Sequence, residues 1–227
     1  LIGYRNIARS VGARFGLVPA QRALAELQRR GINLESLRAL EVFGADGERV
    51  TRFYGHRVAS LEIWEINSRY ERTLRHNYPN ATIRIVDAFV QMRQAEGPYD
   101  LVVIDNPGWI QEHFELFPEV FAVLSDDATL LFNVIPCPTR GTRRRYPRLF
   151  GEEHLELRRR FYGTDDPERI GIEELARHYG ELALSHGFQP QWHFHVRRRE
   201  IWHGVPVKQE LYFLCLKLAR GNRPNAY

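Results

Sequence analysis

The chain has 227 residues, 44% hydrophobic and 26% charged, the balance of a globular rather than a disordered protein and enough for one well-buried domain. No apolar run reaches the roughly 18 residues of a membrane span, and the opening LIGYRNIARSVGARFG has neither the apolar core nor the cleavage site of a signal peptide, so a cytoplasmic protein without a membrane partner is expected. The formal charge of +4 is local in origin, concentrated in RGTRRRYPR at 140–148 and in RRR at 158–160 and at 197–199.

Cys137 and Cys215 stand far apart, with no second cysteine at ligand spacing, which predicts free thiols and no zinc site. The chain opens on Leu1, and Met92 is its only methionine, so further residues are expected upstream. In chain order, PAQRALAELQRRG at 19–31 predicts a helix, with Ala23, Leu24 and Leu27 on one side and Gly31 after the last turn. LRALEVF (37–43) reads as a buried strand, and GADGER leads into a helical stretch through Phe53 and Tyr54. ASLEIWEI (59–66) is the second strand, followed by a helix from about Asn67 that aligns Tyr70, Leu74 and Tyr78. ATIRIVD, PYDLVVID and ATLLFNVI continue the strands, separated by the helical stretches AFVQMRQAEG and EHFELFPEVFAVL.

Strand and helix in regular alternation predict βαβ units and a parallel sheet, because a parallel strand needs a crossover that covers its face. Beyond Pro136 a Pro/Arg-rich connection runs to about Phe150. Two helical segments follow, EEHLELRRRFY and one with Leu175, Ala176, Tyr179, Leu182 and Ala183 on a single face. FQPQWHFHVRRRE and KQELYFLCLKL, joined by IWHGVPV, predict a hairpin that gives the sheet an antiparallel end. The expected organisation is a helical extension over 1–36 and a Rossmann-like α/β domain over 37–227 with a basic insertion at about 137–165.

Ligands of open parallel sheets bind beyond the carboxyl ends of the strands, so the corners Phe43–Gly47, Glu65, Asp87, Asp105–Trp109 and Val134–Pro138 carry the functional expectations. Gly44 and Gly47 permit close backbone approach, and Glu41 lies just inside the first strand's end. A carboxylate such as Glu65 can accept two hydrogen bonds from a ribose diol, and Asp87 can hold an adenine amino group. The dinucleotide pattern G-x-G-x-x-G is absent from FGADGER, which lowers a nicotinamide reading.

LEVFGADG, the WEIN corner, IVDAF, YDLVVIDNPGW and the closing hairpin together resemble the class I S-adenosylmethionine-dependent methyltransferases over about residues 37 to 218. The resemblance implies a three-layer Rossmann-like sandwich with a mostly parallel seven-stranded sheet and a C-terminal antiparallel hairpin. Its cofactor would be S-adenosyl-L-methionine, with Glu41, Phe43, Gly44, Gly47, Glu65, Ile66, Asp87, Ala88 and Asp105 around it. Phe43 and Ala45 replace the first two glycines of the usual loop, and an alanine there suits the methionine moiety if its φ is negative. Asn106-Pro107-Gly108-Trp109 falls where amino-methyltransferases carry Asn/Asp-Pro-Pro-aromatic, which implies that Asp105, Asn106, Pro107 and Trp109 present a planar amine.

Several readings stay open. VIDNPGW is also an ordinary turn, and Asp105 could serve instead as a general base or metal ligand. Arg140, Arg143, Arg144 and Arg145 either meet an anionic small-molecule or nucleic-acid acceptor or form a solvated loop. His193 and His195 share one strand face, where a solvated position outweighs a metal site; Tyr162 and Tyr179 read as packing residues. N-methylation is favoured over O-methylation, with an aminopropyltransferase-like enzyme and a catalytically silent nucleic-acid or protein-binding module as alternatives.

Overall fold

Five apolar runs before Pro136 form parallel strands: β1 (Arg38–Val42), β2 (Ser60–Glu65), β3 (Thr82–Ile85), β4 (Tyr99–Ile104) and β5 (Leu124–Val134). The computed structural model describes residues 17–105, 110–136, 144, 151–198, 201–202, 205–206 and 211–221. Among these, β6 (Phe188–Arg198) and β9 (Leu211–Arg220) make the expected hairpin, and β7 (Ile201–Trp202) pairs with β8 (Val205–Pro206) between them. The sheet order is β3-β2-β1-β4-β5-β9-β6, with β9 antiparallel to both neighbours. Strand order reverses between β1 and β4, which opens the ligand crevice at their carboxyl ends.

The sheet is covered on both faces, so β1 and β4 are buried almost continuously rather than at alternate positions. On one face lie α1 (Leu17–Arg29), with Ala20, Ala23, Leu24 and Leu27 buried at i, i+3, i+4 and i+7, and α2 (Glu71–Asn77), which contributes Leu74. On the other lie α3 (Ala88–Gln91), α4 (Ile110–Ala122) and α6 (Ile172–Ser185), with α5 (Glu152–Tyr162) against α4. Glu174 starts α6 by accepting the Gly171 N–H at 2.7 Å, and Gly187, at φ +82°, follows its end. No helix among the described residues is long and apolar enough to cross a membrane.

The helical stretch expected through Phe53 and Tyr54 is only one 3-10 turn, Thr51–Phe53. Tyr54 is drawn fully into the core, where its hydroxyl meets Glu41, and the chain tightens around Thr51 instead of extending as a helix.

Candidate functional site

Beyond β1 the backbone takes a conformation that its side chains resist. Phe43 has φ +66°, Ala45 +48° and Gly47 +77°. For the two non-glycine residues the left-handed region costs about 1–2 kcal/mol each. Ala45 therefore does not meet the condition of a negative φ: the loop keeps a glycine-like path despite its Cβ. Strand β2 holds that path, since the Phe43 and Gly44 N–H groups both donate to the Trp64 carbonyl, at 3.0 and 3.2 Å. The glycines are required by protein packing. A Cβ on Gly44 would come within 2.4 Å of Ile63 Cγ2, and one on Gly47 within 2.4 Å of the Tyr78 ring.

Glu65 fastens this loop to the next corner. Its Oε2 accepts the Ala45 N–H at 2.8 Å and its Oε1 the Asn67 N–H at 2.7 Å, so the carboxylate is fixed at the end of β2 with only 8% of the residue exposed. Each carboxylate oxygen has about two acceptor positions, so this geometry leaves room for hydroxyl donors. Ile66, beside it, is 45% exposed, and Val90 in α3 is 57% exposed. Asp87 caps α3 by accepting the Phe89 N–H at 3.0 Å, and Ala88 is buried in the first turn. The Phe43 and Phe89 rings meet at 5.9 Å, linking the first and third corners.

Glu41 is almost wholly buried, and the Tyr54 hydroxyl donates to its Oε2 at 2.5 Å. Burial raises its pKa to about 8; the Tyr54 hydrogen bond opposes this, and nearby Asp105 adds to it. The carboxyl group is thus mostly protonated at neutral pH. Asp105 continues β4, its N–H donating to the Val42 carbonyl, and its Oδ1 accepts from Asn133 Nδ2 at 3.1 Å. The structure therefore gathers Glu41, Asp105, Phe43, Gly44, Glu65 and Asp87 at adjoining strand exits. Asn106, Pro107 and Trp109 lie outside the described residues, as do Arg140, Arg143, Arg145 and Cys137; Arg144 is exposed.

Sequence reasoning missed the partners of these groups. Asn133, a lone amide in the apolar run LLFNVI, was the one legible signal; Tyr54 and Tyr78 gave none. Arg158, counted with the basic runs, is instead a fully buried clamp. It donates to the carbonyls of Ile135 (2.8 Å), Pro136 and Pro167 (2.9 Å), fixing the exit of β5 against the segment before α6. His113, one turn into α4, pairs with the Tyr179 hydroxyl, and burial lowers its pKa to about 3, so the imidazole is neutral. Tyr179 is fully buried, as expected of a packing residue. His193 and His195 both face Glu173 of α6, at 3.2 and 3.5 Å.

The sheet order, with its single antiparallel strand set between β5 and β6, is the fold of the class I S-adenosylmethionine-dependent methyltransferases. No protein-family description matches the sequence, and no curated protein matches it. Solved structures do match in fold. One is the N-methyltransferase NodS from Bradyrhizobium japonicum in complex with S-adenosyl-L-homocysteine, at 12% identity and TM-score 0.55, covering 94% of this chain and 97% of that one. Another is magnesium protoporphyrin IX methyltransferase from Synechocystis, also with bound S-adenosylhomocysteine, at 13% identity and TM-score 0.54, covering 89% and 81%. A third is a proposed RNA methyltransferase from Pyrococcus horikoshii, at 10% identity and TM-score 0.56, covering 89% and 84%.

Proposed function

We propose that this chain is an S-adenosylmethionine-dependent methyltransferase, with an amine nitrogen favoured as acceptor. The observation that carries the reading is the oriented, buried carboxylate of Glu65 at the exit of β2, tied by backbone N–H groups to a left-handed loop beside the strand-order reversal. The residues present fit an adenosyl ligand. Glu65 retains acceptor positions for a ribose diol, and the exposed Ile66 and Val90 offer apolar surface for a base. Asp87 stands at the next exit, and the mostly neutral Glu41 lets the first corner meet a zwitterionic amino-acid group without two adjacent buried charges.

When bound, the donor supplies a methyl group on a sulfonium, which is transferred by in-line displacement. The residues of the chain have two tasks in that reaction. The loop from Phe43 to Gly47 and Glu65 hold the donor in one orientation, and the corner after Asp105 aligns the acceptor. By the resemblance, Asn106 and Pro107 accept hydrogen bonds from a planar amine while Trp109 covers its ring; Asp105, held by Asn133, sets where that corner begins.

The test is a thermal melt with S-adenosylmethionine and S-adenosylhomocysteine. At about a hundred times its dissociation constant a ligand stabilises by about 2.7 kcal/mol, which in a domain of this size raises Tm by roughly 5–10 °C. A folded protein that does not shift in millimolar ligand would exclude the methyltransferase reading and leave the silent binding module.

A further inference from the structure

We infer that the groove between α1 and β6 binds the phosphate backbone of a single-stranded nucleic acid and leads it toward the acceptor corner. The groove has a volume of about 580 Å³, and its lining is separate in sequence from the basic connection at 140–148. Arg22 and Arg29 of α1 line one wall; residues 194–197 of β6 form the other, with Phe194 and Val196 turned toward α1 and Arg197 at the rim. The single acid in the lining, Glu26, is held by Arg29 at 2.6 and 2.7 Å and by Arg30 at 2.6 Å, so neighbouring cations offset its charge.

Three features point to a polyanion. Arg22 and Arg29 are seven residues apart on one helix, about 10 Å along its axis, which suits successive phosphates better than one small anion. The cations are arginines, whose planar fork matches phosphate oxygens and stacks on flat rings; the whole chain has 30 arginines against only Lys208 and Lys217. Arg30 already lies over the Trp192 and Phe194 rings at 4.9 and 5.2 Å, so arginine and aromatic groups adjoin on this face, the two residue types that single-strand sites combine.

The direction of the groove follows from register. β6 and β5 are both antiparallel to β9, so they run the same way, and Arg197 pairs with Tyr212, which pairs with Val134 at the end of β5. The Arg197 end of the groove is therefore level with the strand exits. An unpaired strand could place a base there without extrusion from a duplex.

The inference deepens the proposed function by naming a class of acceptor, and its test runs without the methyl donor so that the two can fail separately. Fluorescence anisotropy of a labelled oligouridylate of about 20 nucleotides, longer than one site, is followed from about 50 to about 200 mM salt, with oligothymidylate in parallel. Binding of either strand is expected, with R22Q/R29Q flattening the plot of log affinity against log salt by about 1.4, or about 0.7 per lost phosphate contact. R72Q, an exposed position on α2 beside β3 at the opposite edge of the sheet, should bind as the unaltered protein does, and matched melting temperatures confirm that each variant is folded. Absence of binding near 50 mM salt, an unchanged slope in R22Q/R29Q, an equal loss in R72Q, or equally effective competition by polyglutamate would overturn the proposal; the last would point to an acidic protein instead.

Discussion

At the exits of β1, β2 and β3 the notable side chains are acids, each held in place: Glu41 by Tyr54, Glu65 by the N–H groups of Ala45 and Asn67, and Asp87 by that of Phe89. Around β5 and β6 they are arginines with divided roles. Arg158 is buried on three carbonyls, whereas Arg22, Arg144 and Arg197 are exposed. The contrast teaches that charge near a site has to be sorted by burial before it is read as function. A buried guanidinium bonded to main-chain carbonyls is architecture. An exposed one acts over the reach of a long side chain and in a salt-dependent way.

The largest expected effect tests this division. Arg158→Met strands main-chain carbonyls at the β5 exit and should cost about 3–5 kcal/mol in denaturant unfolding, whereas Arg22→Gln, at the exposed groove, should cost less than about 0.5 kcal/mol. Equal costs would erase the distinction between clamp and surface cation. Gly47→Ala comes next, at about 2–4 kcal/mol, because its φ of +77° disfavours a Cβ that would also meet the Tyr78 ring. Its counterpart, Ala45→Gly, should be neutral or stabilising by up to about 1 kcal/mol, since relief of the left-handed strain is partly offset by unfolded-chain entropy. A clear loss on Ala45→Gly would mean that the loop is not strained.

In the cofactor half, Glu65→Gln should weaken S-adenosylhomocysteine binding by about 10- to 100-fold in titration calorimetry, the loss of one or two hydrogen bonds to a charged acceptor. Asn106→Ala should leave that affinity nearly unchanged, and an equal loss in both would misplace the acceptor corner. A further test concerns pH. The pKa of Glu41 rises on folding to about 8, so the folded state holds an extra proton and stability falls as pH climbs from the ordinary carboxyl range toward about 8. His113 moves the other way: its folded pKa of about 3 means that stability falls as pH drops from about 6.5 toward 3. Thermal melts across pH should show Glu41→Gln losing the alkaline decline while keeping the acid one; a decline preserved in that variant would assign it to another group.

The strands were legible because a sheet covered on both faces needs largely apolar runs without polar alternation, and LRALEVF and YDLVVID are largely apolar. Glu65 and Asp87 were legible as carboxylates closing those runs. Arg158 was not: in RRR at 158–160 it has the same neighbours as a solvated arginine, and only the packing of α5 against the β5 exit turns it inward. The turn at Thr51–Phe53 was misread as a helix because the pull of Glu41 on Tyr54 spans thirteen residues of sequence.

Local composition and period by themselves determined the alternating elements, the parallel sheet and the order of its corners, because each depends on neighbours a few residues away. Tertiary structure alone decided which glycine-like positions are strained, which acid keeps its proton and which arginines line the α1–β6 groove. Those properties depend on desolvation and on contacts between segments as distant as Arg22 and Arg197, which no local pattern encodes.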